Sequence, residues 1–387
     1  MPRSALTAGI AVVAAVGCAS CAAPPAGSTA TSTSSSGGAA RSFDMGFTPW
    51  PYDATVEAID WTWSTLRADG DLVSQHIEEG VPWIEAASGA PFPASFEALI
   101  ADRKKRAAGM KQLLSVNALD LSRTHLAGLR TDQLNAPLPP PWNAYALDDP
   151  AVISAYLAYV RRMIDRLEPT YVQTGIEVNL LRRDGDAEAW AAFVRLQCSV
   201  YKGLKAAGYA QPISVSLVST PFYKPELYDK NPNLVAHRAA LKDLEPCVDL
   251  VAWSVYPFMS GLLANDVPDD YFPSFLGLTS KPQGISESGF PAETWSLPNG
   301  PTWESTPEKQ RRFADQLLRA AAERHLAFVV WFPLRDYDAL WSKPTSAGGL
   351  GQDAVSIVWR DSGLYDPAGL KRAAGARWSE AFSVPHE

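Results

Sequence analysis

The chain has 387 residues, 47% of them hydrophobic and 20% charged, which is enough apolar material for a large buried core. Its formal net charge of -8 at pH 7 argues against nucleic acid as a partner and against adhesion to anionic lipid through a basic face, because phosphate groups are bound by clustered cations. The 13 Trp residues are a high count. Flat indole rings suit the faces of sugar rings, although at least half of these residues are expected to pack in the core.

The first 41 residues are predicted to lie outside the fold. Arg3 precedes an apolar run at 6–16, which is too short to span a bilayer because a spanning helix needs about 20 residues. Small or apolar residues then precede Cys18 in a pattern that resembles the bacterial lipobox, with Ala15 where Leu is usual. We therefore predict a signal peptide over 1–23 and an exported cell-envelope lipoprotein, held at the membrane only through lipidated Cys18. The alternatives are lipidation of Cys21 and a plain secretory signal that releases the protein.

Residues 24–41 are rich in Ser, Thr, Gly and Ala and lack large apolar side chains. Such a segment cannot bury enough surface to fold, so it is predicted to be a flexible linker before a domain at 42–387. That domain contains Cys198 and Cys247, which can be bridged in an exported protein. Two separately buried thiols fit the sequence equally well, and no CxxC or Cys/His metal spacing occurs.

Short apolar runs alternate with amphipathic segments from residue 42 onward. The runs are rich in Val, Ile, Phe and Trp, as strands buried on both faces are, and lie at 43–47, 72–77, 112–116, 171–175, 213–218, 250–256, 283–286 and 328–332. Helical patterns separate them, one that begins near Asp149-Pro150 and runs to Leu167 and another with Thr306 as N-cap and Pro307 in its first turn. The sixth helix, at 269–276, has the weakest pattern.

Eight strand–helix units in series predict an α/β fold, a single (β/α)8 TIM barrel of parallel strands. A doubly wound sheet is the alternative, but no glycine-rich phosphate loop follows the first strand. The segments after strands are long, as at 122–143 and 259–271, whereas those after helices are short. Because barrel active sites are built from the loops that follow strands, these long loops indicate the functional face.

Two Glu residues stand at the ends of predicted strands on this face. Glu177 follows the fourth strand and Glu287 the seventh. A lone Glu at a strand end is usually a salt-bridge partner or a loop cap, but strands four and seven lie across the barrel mouth from each other. A facing pair of carboxyl groups is what glycoside hydrolysis requires, because one protonates the leaving oxygen while the other attacks the anomeric carbon or activates water.

The segments around these residues resemble the clan A retaining (β/α)8 glycosidases. Tyr-Val-Gln-Thr-Gly-Ile-Glu at 171–177 and Ile-Ser-Glu-Ser-Gly-Phe-Pro at 285–291 are similar to the two catalytic strands of arabinogalactan endo-β-1,4-galactanases. The resemblance implies that Glu177 is the general acid/base and Glu287 the nucleophile, with carboxyl groups ~5 Å apart, as in retaining enzymes. It also implies that Tyr256 orients the nucleophile and that Trp331 is the aromatic floor under the sugar. A buried Tyr that merely satisfies its hydroxyl would fit Tyr256 as well.

One position departs from the clan pattern. Clan members usually carry Asn before the acid/base Glu, where it binds the sugar 2-hydroxyl, whereas this chain has Ile176. Asn179, two residues past Glu177, is the candidate substitute. The departure calls into question either the substrate, which would then differ at its 2-position, or the activity itself.

Other candidate substrate-binding residues stand at strand ends or in the loops that follow strands. His76 ends the second strand and Asn117 follows the third; each could bind a sugar hydroxyl or have a structural role. Trp residues also occur in these loops, and two or three of the following five are expected to line a cleft while the others hold their loops: Trp50, Trp83, Trp142, Trp295 and Trp341.

The sequence therefore predicts a monomeric glycosidase that cleaves a β-linked polysaccharide or oligosaccharide by a retaining mechanism, without a metal or an organic cofactor. Three alternatives stay open. A metal-dependent barrel enzyme would need several His and carboxylate ligands at strand ends, where only His76 is found. A non-catalytic barrel that binds glycan is suggested by Ile176. A transglycosylase would use the same residues as a hydrolase.

Overall fold

The computed structural model describes residues 40–184, 187–227, 232–260, 267–296, 302–353 and 356–386. The predicted leader, with Cys18 and Cys21, lies outside these residues, as does all of the predicted linker except its last two residues. Arg41 belongs to the folded domain, because its backbone N–H donates to Pro385 O at 2.7 Å and its guanidinium pairs with Asp71 at 2.7 Å. The folded domain therefore begins before residue 42, and the linker ends earlier than predicted.

Eight parallel strands close into a barrel in which the last strand pairs with the first, so the predicted (β/α)8 fold is confirmed. The strands are β1 (Asp44–Phe47), β2 (Leu72–Ile77), β3 (Lys111–Val116), β4 (Tyr171–Gln173), β5 (Ile213–Val218), β6 (Leu250–Val255), β7 (Gln283–Ser288) and β8 (Phe328–Trp331). Their bounds differ from the predicted ones by at most two residues.

One main helix follows each strand and packs outside the barrel. These helices are α1 (Val56–Asp69), α2 (Ala94–Arg106), α3 (Pro150–Leu167), α4 (Ala187–Ala206), α5 (Leu234–Leu244), α6 (Tyr271–Leu276), α7 (Pro307–Glu323) and α8 (Ala373–Phe382). The side chain of Asp149 caps α3, and that of Thr306 accepts from the Lys309 N–H at the start of α7. Both caps satisfy N–H groups that have no partner within the helix, which is why these two starts could be read from the sequence.

Short elements decorate the post-strand loops. They comprise the helices Trp83–Ser88, Asn179–Asp184, Thr220–Tyr223, Asp338–Ser342 and Ile357–Arg360, the 3-10 turns Trp142–Ala144, Pro225–Leu227, Glu245–Cys247, Pro257–Ser260 and Thr345–Ala347, and a hairpin of Trp295–Ser296 with Thr302–Trp303. Cys198 in α4 and Cys247 form a disulfide, which settles the open question of their state. Among the described residues, no helix is long and apolar enough to cross a membrane.

Side chains inside the barrel change character from bottom to mouth. The lower layer is an apolar cluster of Leu72, Leu113, Leu250, Ala252, Phe328 and Val330. Because side chains alternate along a strand, the residues two positions further along point inward too, and they are small or polar, as with Ser74, Ser115 and Ser254, all buried. The next inward positions reach the mouth, where the candidate site lies.

Candidate functional site

A β-bulge turns Glu287 into the barrel. On β6, Trp253 pairs with Ile285, but the next residue, Ser254, pairs with Glu287, so Ser286 is the extra residue of β7. Trp253 packs outward against Phe275 of α6, with ring centroids 4.9 Å apart. Without the bulge, Glu287 would share the outward face of Ile285, because side chains two apart on a strand point the same way.

Glu287 is almost fully buried, with 7% of its surface exposed. The Tyr256 hydroxyl donates to Glu287 Oε2 at 3.2 Å, and His76 Nδ1 lies 3.7 Å from Glu287 Oε1. Burial, together with the carboxylates of Glu177 and Glu78, raises the pKa of Glu287 to about 7 against the opposing effect of His76 and Arg123. The site thus holds a carboxyl group that titrates near neutral pH, a common property of catalytic groups.

Glu177 lies at the end of β4 in a strained backbone conformation. Its φ is +53°, in the left-handed region that costs a non-glycine residue about 1–3 kcal/mol. Its N–H donates to Ser216 Oγ of β5 at 2.9 Å, which helps to hold this turn in place. The Glu177 side chain is 16% exposed, and Arg123 Nη2 lies 3.7 Å from its Oε2. Strain of this kind concentrates at functional sites.

A third carboxylate, Glu78, lies between these two groups. Arg123 contacts it with Nη1 at 2.7 Å from Oε1 and Nη2 at 3.1 Å from Oε2, and His76 Nε2 lies 2.9 Å from Oε2. The Asn117 amide adds a donor at 3.1 Å to Oε1. Burial opposes ionisation of Glu78, but Arg123 and His76 outweigh it and hold its pKa at about 2. Burial likewise opposes protonation of His76, but Glu287 and Glu78 outweigh it, so the pKa of His76 is raised.

The predicted site residues Tyr256, His76 and Asn117 thus lie together with Glu177 and Glu287. Asn117 is buried; besides Glu78, its amide N–H lies 3.4 Å from Ile176 O, and its carbonyl accepts from the Leu119 N–H at 3.2 Å. Its side chain therefore orients Glu78 and joins the loops that follow β3 and β4, rather than standing free to bind a sugar.

Asn179 does not reach this cluster. It is fully buried; its amide carbonyl accepts from Val218 N–H at 2.8 Å, and its amide nitrogen lies 3.2 Å from both Val218 O and His237 Nδ1. These contacts join the start of helix Asn179–Asp184 to β5 and α5. The structure gives Asn179 a structural role in place of the predicted contact with the sugar 2-hydroxyl.

Trp331 points away from the mouth, which corrects its assignment as the aromatic floor. It is fully buried, its indole N–H donates to Ser362 O at 2.8 Å, and its ring packs between Phe313 of α7 and Trp378 of α8. The reason is strand alternation: Phe328 and Val330 face inward, so Trp331 faces outward and Phe332 is the residue directed to the mouth.

Phe332 is part of an aromatic wall formed with Trp50 and Trp359. The Phe332 ring lies 6.0 Å from that of His76, 6.2 Å from Trp50 and 5.5 Å from Trp359. Trp359 also contacts Tyr256, with centroids 4.3 Å apart. The indole nitrogens of Trp50 and Trp359 are both buried without a hydrogen-bond partner among the described residues. The wall thus adjoins the cluster of Glu78, Glu177 and Glu287, and it contains two indole N–H groups that have no acceptor among the described residues.

The other four Trp residues predicted for the loops hold those loops in place. Trp83 is fully buried, donates to Ala127 O at 2.8 Å and stacks on Trp142 at 5.6 Å. Trp295 stacks on Trp303 in the hairpin at 4.3 Å, and Trp341 donates to Asp353 O at 3.0 Å. Of the five, only Trp50 adjoins the cluster, fewer than the predicted two or three.

Sequence reasoning missed four residues of the site, namely Glu78, Arg123, Phe332 and Trp359; strand alternation from Phe328 was the signal for Phe332. Glu78 had a signal, because it lies two residues after His76 at the end of β2. Arg123 had none, since it is brought back to Glu78 by the path of the loop after β3, with φ +63° at Arg123 itself. Trp359 comes from the helix Ile357–Arg360, far from any strand end in the sequence.

One group of carboxylates in the described chain has the spacing of a metal site. Oxygens of Asp336, Asp338 and Asp361 lie within 4.8 Å of one another. Arg372 pairs with Asp336, and Arg360 lies 2.8 Å from Asp361 and 3.5 Å from Asp338. Each of the three carboxylates already has a guanidinium group beside it, so we assign no metal to this cluster.

The fold is similar to that of solved glycosidases. The chain resembles a variant of GH5_18 from Bifidobacterium longum, solved with Manβ1-4GlcNAc, at 16% identity and a TM-score of 0.58, over 89% of this chain and 80% of that one. It also resembles a fungal β-1,4-galactanase, at 13% identity and a TM-score of 0.52 over 87% and 94% of the two chains. It further resembles the GH53 catalytic domain of Ignisphaera aggregans, at 16% identity and a TM-score of 0.51, over 83% of this chain and 87% of that one.

No protein-family model matches the sequence, and no curated protein matches it. At these identities the structural similarity establishes the (β/α)8 barrel fold. The chemistry of this chain has to be argued from its own site.

Proposed function

We propose that this protein is a retaining β-glycosidase in which Glu287 is the nucleophile and Glu177 the general acid/base. The observation that carries the proposal is the environment of Glu287. A β-bulge aims this buried carboxylate into the mouth, Tyr256 fixes one of its oxygens, and Oε1 has no hydrogen-bond partner among the described residues. An oriented carboxylate with one oxygen unengaged is suited to attack an anomeric carbon.

The proposed reaction has two steps. In the first, Glu287 Oε1 bonds to the anomeric carbon, the glycosidic C–O bond breaks, and Glu177 gives its proton to the leaving oxygen. In the second, water attacks the same carbon, Glu177 takes the proton of that water, and the bond to Glu287 breaks. Two inversions give net retention. Glu177 is the more exposed of the two side chains, at 16% against 9%, which suits a group that must meet the leaving sugar and water.

The aromatic wall of Trp50, Phe332 and Trp359 supports a sugar as the substrate. Aromatic faces bury the apolar face of a pyranose, and unused buried donors require an acceptor such as a hydroxyl oxygen. The resemblance to the B. longum protein solved with Manβ1-4GlcNAc, and to β-1,4-galactanases, directs the search to β-1,4-linked hexose substrates.

The test is release of new reducing ends by the full chain from a panel of β-linked polysaccharides and oligosaccharides, including mannosyl and galactosyl substrates. Glu287→Gln is the matched control, since it preserves shape and removes the charge. Release by the parent and not by Glu287→Gln is expected. Equal release by both would refute the assigned nucleophile.

Ile176 favours one other function, a barrel that binds glycan without cleaving it. The clan's usual contact to the sugar 2-hydroxyl is absent at this position, and Asn179 does not replace it. This function predicts sugar binding by calorimetry in the parent, retained in both Glu177→Gln and Glu287→Gln, without turnover. Formation of longer products when an oligosaccharide acceptor is added would instead identify a transglycosylase.

We also propose that the enzyme acts outside the cytoplasm, as a lipoprotein anchored through Cys18 or as a secreted protein. The disulfide between Cys198 and Cys247 supports export, because such bonds persist in oxidising compartments. Cys18→Ala should move the protein from the membrane fraction to the soluble fraction. Continued retention in membranes would indicate Cys21 or another anchor.

A further inference from the structure

Glu78 is a carboxylate for which a two-carboxylate mechanism has no use. It is buried at the mouth, next to both proposed catalytic groups, and it is ionised at neutral pH. Burying a charge is costly unless the charge is paired. A third buried carboxylate in one cluster therefore calls for a reason.

All the acceptor positions of Glu78 are occupied. A carboxylate offers about four lone-pair sites, and Glu78 has four donors at hand: Arg123 Nη1 and Asn117 Nδ2 at Oε1, and Arg123 Nη2 and His76 Nε2 at Oε2, at 2.7 to 3.1 Å. No lone pair is left for a substrate. Glu78 is thereby excluded as a nucleophile or a proton donor.

We propose, on the basis of the proposed function, that Glu78 is a positioning residue that holds His76 beside Glu287 and Arg123 beside Glu177. The five side chains form a row of alternating charge, from Glu177 through Arg123, Glu78 and His76 to Glu287. The two outer separations are equal: Arg123 Nη2 lies 3.7 Å from Glu177, and His76 Nδ1 lies 3.7 Å from Glu287.

The geometry of His76 depends on Glu78. Because Glu78 is ionised, it accepts from the His76 Nε2–H, which directs Nδ1 toward Glu287. At 3.7 Å this second contact is an ion pair rather than a hydrogen bond, so it stabilises the ionised nucleophile without occupying its free lone pair. The cation lowers the pKa of Glu287 against the effect of burial, and Glu287 and Glu78 together raise the pKa of His76, so loss of Glu78 would weaken the hold of His76 on its proton.

Five groups surround Glu287, and they come from the ends of four strands and their loops. His76 is in β2, Glu78 follows β2, Arg123 is in the loop after β3, Glu177 follows β4 and Tyr256 follows β6. Removing the charge of Glu78 acts on Glu287 in two opposite ways. It relieves a direct repulsion, and it weakens protonation of His76. The charge of His76 acts on Glu287 more strongly than that of Glu78 does, so at any pH where His76 of the variant has lost its proton, ionisation of Glu287 should be less favourable than in the parent.

The direct test is an NMR titration of the His76 ring in the full chain, with its signal assigned by comparison with His76→Gln. In Glu78→Gln, the pKa of His76 should fall by about one unit or more, the usual effect of losing an ionic partner. Glu79→Gln is the matched control. Glu79 is the next residue and pairs with Arg130 at 3.1 Å, away from both proposed catalytic carboxylates, so the pKa of His76 should stay as in the parent.

The kinetic counterpart is the pH profile of kcat/KM on an activated aryl glycoside. His76→Gln should move the acidic limb to higher pH by about one unit, and Glu78→Gln should move it in the same direction by less. A merely structural Glu78 would lower kcat/KM evenly at all pH values. If Glu78→Gln does not fold, Glu78→Asp keeps the charge but shortens its reach, and should lower the pKa of His76 by a smaller amount.

An unchanged pKa of His76 in the folded Glu78 variant would overturn the inference, whatever the enzyme's activity. Failure of the proposed function is a separate result. A folded parent that cleaves no substrate would remove the catalytic part of the inference, while a lowered His76 pKa in Glu78→Gln would still support the positioning of His76.

Discussion

The ends of β4 and β7 present the same side chain in opposite settings. Glu287 lies within its strand, buried, aimed by a bulge and held by Tyr256. Glu177 lies past the end of its strand, more exposed, in a left-handed turn beside Arg123. A buried, oriented carboxylate is suited to attack, and an exposed one to exchange protons with water. Burial that raises a pKa would by itself favour a proton donor, so the contacts that orient Glu287, above all the hydrogen bond from Tyr256, carry its assignment as the nucleophile.

Replacing Glu287 should have the largest effect. Glu287→Ala is expected to lower kcat by on the order of 10⁴-fold or more, as loss of a nucleophile does in other hydrolases. Azide should restore part of the rate on an activated glycoside, because the small anion fits the space of the lost carboxylate. The product anomer, followed by NMR, would then be inverted. No rescue by azide, with the variant folded, would count against Glu287 as the nucleophile.

Replacing Glu177 should give an effect that depends on the substrate. Glu177→Ala is expected to slow substrates with poor leaving groups by about 10²- to 10⁴-fold, the usual contribution of a general acid. An aryl glycoside with a good leaving group needs little protonation, so its first step should be affected far less. Equal losses on the two substrates would contradict the acid role.

Tyr256 distinguishes the two ends further, because its hydroxyl donates a hydrogen bond to Glu287. Tyr256→Phe should cost about 1.5–3 kcal/mol, the range for a hydrogen bond to a charged group, which corresponds to roughly 10- to 100-fold in kcat/KM. Tyr271→Phe is the matched control. Tyr271 is the first residue of α6, and its buried hydroxyl lies 2.9 Å from the hydroxyl of Ser219 rather than beside a carboxylate. A similar loss in both variants would indicate general destabilisation.

The smallest effect concerns pH. Turnover requires ionised Glu287, whose pKa is raised to about 7, so kcat/KM should fall as the pH falls through about 7. Glu177 contributes to this raised pKa through its negative charge. Glu177→Gln should therefore shift the acidic limb on an activated glycoside to lower pH. If the acidic limb of the kcat/KM profile stays at the same pH in Glu177→Gln, the charge of Glu177 does not raise the pKa of Glu287.

Much of the barrel could be predicted from the sequence because the signals were local. Apolar runs marked the strands, Asp149-Pro150 marked the approximate start of one helix, and the cap at Thr306 marked the start of another. Both carboxylates were found for the same reason, since each follows an apolar run. The disulfide stayed open because its partners are 49 residues apart and spacing does not encode their proximity.

The prediction failed where a motif was trusted above strand geometry. Trp331 matched a clan pattern, yet alternation from Phe328 already placed it outside the barrel. Glu78 and Arg123 could not be found as a pair, because their contact depends on the path of the long loop after β3. The bulge at Ser286 was equally hidden, since an extra residue in a strand leaves no mark in an apolar run.

The most direct measurement of the central claim is covalent trapping. The full chain would be incubated with an activated 2-deoxy-2-fluoro glycoside of the sugar that it cleaves, then digested and examined by mass spectrometry. A fluorinated sugar slows the second step, so the intermediate should accumulate. We predict one sugar per chain, attached at Glu287 and absent in Glu287→Gln. Attachment at Glu177, or turnover without any labelled intermediate and with an inverted product, would contradict the assignment.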